Sequence, residues 1–372
     1  MSEFSRKELV LQLITANPFV SQQELADRCG LSRSAVAGHI ASLVRERRLL
    51  GRAYLLPETK VLQPGLLCFG GCNLDRKLRT LDQFTLGTSN PVSQFESYGG
   101  VARNIAENVA RLGHKVGLIS ALGDDAAGRA MQAQAQGLGI DLAASLYVPQ
   151  HASDTYTAVL DQAGNMLLAL AHMELVEQIS TEFLAGRKQE CEQAGMWLAD
   201  MNLPASSIAY LLKAARTSMI PLVMVAVSQP KMARLPADLS GVYLLLLNRD
   251  ELASRLGVAS IADQDLAAAC AQVQAQGVQN LIVTLGEQGV CYTADAGLCF
   301  LKAPKIAKVA DVTGAGDAFA AAVCWSLLQV EHDLQLACRR GLTLAALTLQ
   351  CSTTVCPEIG PHSLALENLI AV

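Results

Sequence analysis

Long apolar runs are the first thing this 372-residue chain lacks: 51% of it is hydrophobic, yet no stretch approaches the roughly 20 uninterrupted apolar residues of a membrane helix. The polar start MSEFSRKEL is not a signal peptide, so a cytoplasmic protein with no membrane partner is expected. No CxxC pair occurs among the eleven cysteines. Cys68 with Cys72, and Cys351 with Cys356, lack zinc-site spacing and His partners, so reduced and mostly buried thiols are expected rather than metal or disulfides. GxxxxGK[ST] is absent, as are HRD and DFG, which excludes a Walker loop and the protein-kinase apparatus. Few residues are aromatic, but the length suffices to bury a sizeable core in one large α/β domain plus a small one.

The formal charge of −5 is uneven: residues 1–60 carry 9 Lys and Arg against 6 Asp and Glu, leaving an acidic remainder. A basic head on an acidic body suggests two modules with different partners. In the head, Leu9, Val10, Leu13 and Ile14 recur at helical spacing until Asn17-Pro18. Ser21 with Glu24 forms a capping-box pattern for a second helix that stops at Cys29-Gly30. Ser32 caps a third helix bearing Val36, Ile40, Leu43 and Val44 on one face. Residues 49–56, LLGRAYLL, read as a small hairpin with Arg52 at its tip.

That order is helix-turn-helix spacing, and residues 1–56 resemble a winged helix-turn-helix DNA-binding domain. Arg33, Ser34 and Ala37 lie early on the third helix, where base edges would be met, whereas Arg45, Arg47, Arg48 and Arg52 suit phosphates of duplex DNA. The alternative is a solvated three-helix domain that mediates protein contacts. Residues 57–65, with prolines near both ends, are the expected linker.

The body, residues 66–372, is organised around Asp311–Phe319, DVTGAGDAF. An apolar segment at helical spacing follows it, so the glycines stand at a helix start. Gly314, Ala315 and Gly316 let backbone N–H groups approach an anion at the positive end of the helix dipole. Asp317 would repel that anion, but it makes sense as a base taking a hydroxyl proton. A bare GxGD reads equally as a glycine turn with a capping Asp.

The complete string resembles the C-terminal signature of the ribokinase-like (PfkB) carbohydrate and nucleoside kinases, and further motifs repeat the resemblance in order. After an apolar strand at Leu66–Gly71, Asn73 and Asp75 match positions that hold substrate hydroxyls, although NxD alone is ordinary turn chemistry. GGVARNIAENVARLG, from Gly99, resembles the N-terminal signature, implying sugar-binding roles for Gly99, Gly100 and Asn104. ARNIAEN, with Arg103, is similar to the pseudouridine kinases, and the apolar run Val116–Leu122 that follows reads as the second strand. Where those kinases carry Asn-Asp after a lid strand, this chain has Ala171-His172, and Val225-Ala226 replaces a usual Asp-Pro.

Asn248 and Glu251 stand in the NxxE spacing that orders Mg²⁺ in the family, and equally fit an N-cap with a first-turn Glu. Thr284, Gly286 and Gly289 resemble the nucleotide-binding TLGxxG. The family further implies ATP, and K⁺ near Asp311 and Thr313. The expected fold is a ribokinase-like three-layer α/β/α sheet with a small β lid, preceded by the winged helix-turn-helix head. The expected activity is ATP-dependent phosphorylation of a primary hydroxyl on a ribosyl compound, a nucleoside such as pseudouridine before a free sugar, by a homodimer. Two rivals are a regulator that senses ligand through a kinase fold, against which Asp317 counts, and a phosphosugar kinase, for which the substrate motifs offer only Arg76, Lys77, Arg79 and Arg103 as cations.

Overall fold

A computed structural model describes residues 3–17, 20–45, 48–49, 65–329, 333–365 and 369. Arg47, Arg52, the 49–56 hairpin apart from Leu49, and the 57–65 linker apart from Gly65 lie outside the described residues. The chain divides into compact units, residues 1–62 and 63–372.

In the first unit three helices, Glu3–Ala16, Gln22–Cys29 and Arg33–Arg45, enclose Val10, Ile14, Leu25, Val36 and Leu43. The Ser21 hydroxyl accepts from the Glu24 amide at 3.1 Å, and Gly30 ends the second helix at φ 62°. The Ser32 hydroxyl accepts from the Ala35 amide at 3.2 Å and starts the third. Both ends of the second helix and the start of the third are therefore made by the local capping chemistry that the sequence carries.

The second unit is built on a mixed sheet of nine strands among the described residues. Leu66–Phe69 lies inside it, with Val116–Ile119 and Ile140–Asp141 on one side and Met196–Asp200, Leu222–Val225, Val242–Asn248 and Asn280–Thr284 on the other, all parallel. Val290–Ala294 and Gly297–Leu301 add an antiparallel edge. Alternate side chains feed two separate cores. Leu67, Phe69, Trp197 and Ala199 pack with helix residues Ile208, Leu211 and Leu252 on one face, while Leu66, Cys68, Met196 and Leu198 pack with Ile105, Val109, Phe319 and Val323 on the other. Helices on both faces of a buried parallel sheet give the expected three layers.

A second sheet, in the order Val92–Gly99, Asn73–Thr80, Thr155–Leu160 and Met166–His172, forms the lid. Three local expectations change. The apolar run 116–122 is not one strand: the main-sheet strand stops at Ile119 and Ala121–Gly123 pairs elsewhere with Leu146–Val148. Between them the Ser120 hydroxyl donates to the Gly70 carbonyl at 2.6 Å, a bond that favours leaving the ladder there. Asn73 and Asp75 open a lid strand instead of sitting in a turn. Cys351 and Cys356, expected as thiols, are joined in a disulfide, with Cα atoms 5.6 Å apart.

Candidate active site

Because the central strands run parallel, their carboxyl ends gather on one edge, where a ligand crevice forms in open α/β sheets. The Leu66–Phe69 strand delivers Gly70 and Gly71, and Met196–Asp200 delivers Asp200, wholly buried. One Asp200 oxygen accepts from the amides of Gly71 at 3.0 Å and Ala102 at 2.8 Å, and the other from Asn202 at 2.8 Å. This carboxylate pins two glycine-rich segments against each other. A Cβ at Gly70 would lie 2.3 Å from it, so only glycine fits. Asp200 was not among the expected site residues, and its only sequence signal was an acidic residue ending an apolar strand.

Asn73 and Asp75 project from the same face of the lid strand, two residues apart. The Asn73 amide donates to Asp75 Oδ1 at 2.6 Å. Gly99 is the cross-strand partner of Asn73, and a Cβ there would meet the Asp75 carboxylate at 2.1 Å. Burial pushes the Asp75 carboxyl up, partly offset by the Asn73 bond and by Lys77 and Arg103. Gly100, at φ 99°, starts the Val101–Arg111 helix and packs on the Gly71 carbonyl.

That helix packs beside Ala315–Leu327. Gly314, at φ 81° and backed by the Thr354 carbonyl, opens the second of these helices. The first-turn amides of such a helix have no intrahelical acceptor and mark the positive end of its dipole. A Cβ at Gly316 would meet nothing within 4 Å, so the approach to these amides is open. Asp317, one turn in, accepts from Asn104 Nδ2 at 2.7 Å across 213 residues of sequence. Burial first, with repulsion from Asp200 and Asp75, pushes the Asp317 carboxyl up to about 7 against the lowering effect of Asn104 and Arg103. A carboxyl poised near neutrality is suited to general-base work.

Arg103 is turned inward. It is buried and bonds the Tyr98 carbonyl, Asn104 Oδ1, Glu107 and Gln134. His172 closes the outer lid strand opposite Thr155, half-exposed and 3.9 Å from Glu174.

The nucleotide-side motifs are brought together by strand register, Asn248 pairing with Thr284. Asn248 Oδ1 accepts from the Glu251 amide at 2.8 Å and Glu251 Oε2 from the Asn248 amide at 2.8 Å, a complete capping box. Glu251 Oε1 takes no part in that box. A buried carboxylate with one oxygen outside its cap, beside an exposed Asn, is a donor set that fits Mg²⁺ held through water. Gly289, at φ 104°, would place a Cβ 2.0 Å from the Leu301 carbonyl, which explains the final glycine of the motif.

Asp311 and Thr313 do not fit a monovalent cation. Lys77 Nζ, from the lid, donates to Asp311 Oδ2 at 2.7 Å, and Oδ1 accepts from the Thr313 amide and hydroxyl at 2.9 and 2.7 Å. Burial alone would raise the Asp311 carboxyl, but the Lys77 and Thr313 bonds outweigh it and hold it low. An ammonium already neutralises the charge that the ion would need.

Residues 63–358 match the pfkB family carbohydrate kinase profile. The chain belongs to the pfkB family. The pfkB kinases are phosphotransferases with an alcohol group as acceptor, and this member is a sugar or nucleoside kinase. It is 32% identical to an uncharacterised sugar kinase of Escherichia coli over 326 residues, 87% of this chain and 88% of that one. It is also 32% identical to the pseudouridine kinase of Escherichia coli, over 70% of this chain and 83% of that one. The pfkB fold is shared with the ribokinase of Arabidopsis thaliana complexed with ribose and ATP, at a TM-score of 0.71 and 20% identity over 83% of this chain and 99% of that one. Ahead of the pfkB unit, residues 6–47 match a winged helix-turn-helix DNA-binding profile. No described helix is long and apolar enough to cross a membrane.

Proposed function

We propose that this pfkB kinase transfers the γ-phosphoryl group of ATP to a primary hydroxyl of a ribosyl compound, a nucleoside in preference to a free sugar. The observation that carries the reading is Asp317, paired with Asn104 at the open N-terminus of a helix and with its carboxyl at about 7. Asp317 takes the hydroxyl proton while first-turn amides around Gly314, Ala315 and Gly316 steady the transferring group. Asn73 and Asp75, already fixed on one another, hold vicinal hydroxyls, and Gly100 lets the start of the Val101–Arg111 helix close on the Gly71 backbone. Thr284, Gly286 and Gly289 line the nucleotide side. Mg²⁺ held through water by Asn248 and Glu251 would offset phosphate charge. The ribokinase complex with ribose and ATP supports the nucleotide, and the pseudouridine kinase likeness supports a nucleoside.

The test is a coupled ADP-release screen over nucleosides and pentoses, each with its deoxy analogue. Loss of a vicinal hydroxyl should cost several kcal/mol in kcat/KM, about a hundredfold or more, because a part-buried Asn73–Asp75 pair would be left unmatched. Equal rates on ribo and deoxyribo forms would remove those residues from substrate binding.

The head supports a second role, binding of duplex DNA by a homodimer. Arg33, Ser34 and Ala37 are exposed on the third helix, and Arg45 is exposed at its end. Arg48, by contrast, is engaged with Glu8 at 2.6 and 2.9 Å. A dimer supplies the two recognition helices that useful specificity demands.

A further inference from the structure

Arg103 lies one residue before Asn104, the side chain that touches Asp317, yet it points away from the crevice into the protein. It is 5% exposed, and its guanidinium is clamped from several sides. Glu107 accepts from Nη2, Gln134 Oε1 accepts from Nη2 at 2.7 Å, the Tyr98 carbonyl accepts from Nη1 at 3.0 Å, and the Tyr98 ring lies 5.9 Å away. Glu107 is in turn held by Arg111, whose Nε and Nη2 donate to Oε1 at 2.9 and 2.7 Å. The remaining bond from Nη1 goes to Asn104 Oδ1 at 2.9 Å.

A guanidinium only donates, so the end of the Asn104 amide that faces it has to be the oxygen. The other end, Nδ2, is then obliged to face Asp317, as the 2.7 Å bond records. We propose that Arg103 is a positioning residue: clamped by Glu107, it locks the Asn104 amide so that a donor, never an acceptor, is presented to Asp317. Without the lock the amide can rotate by half a turn and offer its oxygen to a protonated Asp317, which stabilises the acid form. With it, the neighbouring amide favours the carboxylate, opposing the burial and the charges of Asp75 and Asp200 that push the other way. The positive charge of Arg103 acts in the same sense as the lock. The benefit is a base that stays ionised in a larger fraction of molecules near neutral pH.

This rests on Asp317 as base, so the experiment reads Asp317 both with and without turnover. The double variant Arg103→Met with Glu107→Gln removes both charges and leaves neither buried alone. Carbon-13 carboxyl titration of Asp317 in the unliganded double variant should show a midpoint raised by about one pH unit, and the acid limb of kcat/KM should rise with it. At pH 6.5 the rate should then drop about tenfold, while above about pH 9 it should return to within about twofold of wild type. Arg103→Lys, which keeps a donor and the charge, should recover most of the shift. A folded double variant whose titration midpoint is unmoved would overturn the lock. Should the double variant fail to fold, the wild-type Asn104 side-chain amide signals decide the matter. Sharp signals through the whole Asp317 titration support the lock, and broadening as Asp317 takes up its proton overturns it. If Asp317→Asn proves fully active, the base role fails instead, and the titration still reports on Arg103.

Discussion

Replacing Asp317 by asparagine should make the protein more stable and nearly inactive at once. Burial beside Asp75 and Asp200 lifts this carboxyl from 3.8 to about 7. About three pKa units at roughly 1.4 kcal/mol each cap the cost of ionising it in the fold at about 4 kcal/mol. Relaxation of the fold around the new charge recovers part of that, so a gap of about 2 kcal/mol is expected. The sign follows from where the proton sits. Below about pH 4 Asp317 is protonated in both folded and unfolded chains, and variant and wild type should match. Between about pH 4 and 7 the unfolded chain ionises while the fold keeps its proton, so wild type loses stability relative to Asp317→Asn; above about pH 7 the gap is constant. Urea denaturation at several pH values from about 4 to 8.5 measures it. Turnover at pH 8 should meanwhile fall by several decades, with substrate binding little changed. A variant no more stable at high pH, or a gap that ignores pH, would refute the electrostatic account of the site. Activity within tenfold of wild type would refute the base.

Two other perturbations separate the remaining proposals. Since Lys77 neutralises Asp311, wild-type rates should be the same in Na⁺ and K⁺, whereas Lys77→Met should be slower and gain a response to K⁺; K⁺ stimulation of wild type alone would show that the ammonium does not stand in for the ion. For the head, fluorescence anisotropy of the full chain on duplex DNA should give affinity that falls steeply with salt. Arg33→Ala or Arg45→Ala should each lower the slope of log K on log salt by about 0.9 if the residue neutralises one phosphate; salt-insensitive binding would exclude the DNA role.

Much of the fold was legible in the chain because its cues are local. The second and third helices begin at Ser21 and Ser32, whose hydroxyls accept from amides three residues on, and alternation along Leu66–Phe69 or Met196–Asp200 is set by the pleat itself. Glycines stood where strands give way to ligand-facing loops because backbone at φ 81° or 104° admits little else. The run at 116–122 misled because apolarity continues through a point where Ser120 leaves the sheet for the Gly70 carbonyl, 50 residues earlier.

What the sequence by itself determined was therefore the order of the motifs and their places at strand and helix ends, all set within a few residues by capping, period and glycine. Tertiary structure alone decided which partner each buried or half-buried carboxylate meets. Asp317 finds Asn104 across 213 residues, Asp311 finds Lys77 across 234, and Asp200 reaches the Gly71 amide across 129. Arg103 looks identical in sequence whether it faces a sugar or the interior. Its direction was settled by Glu107 one turn along the helix and Gln134 on another, because a buried guanidinium is stable only where acceptors surround it.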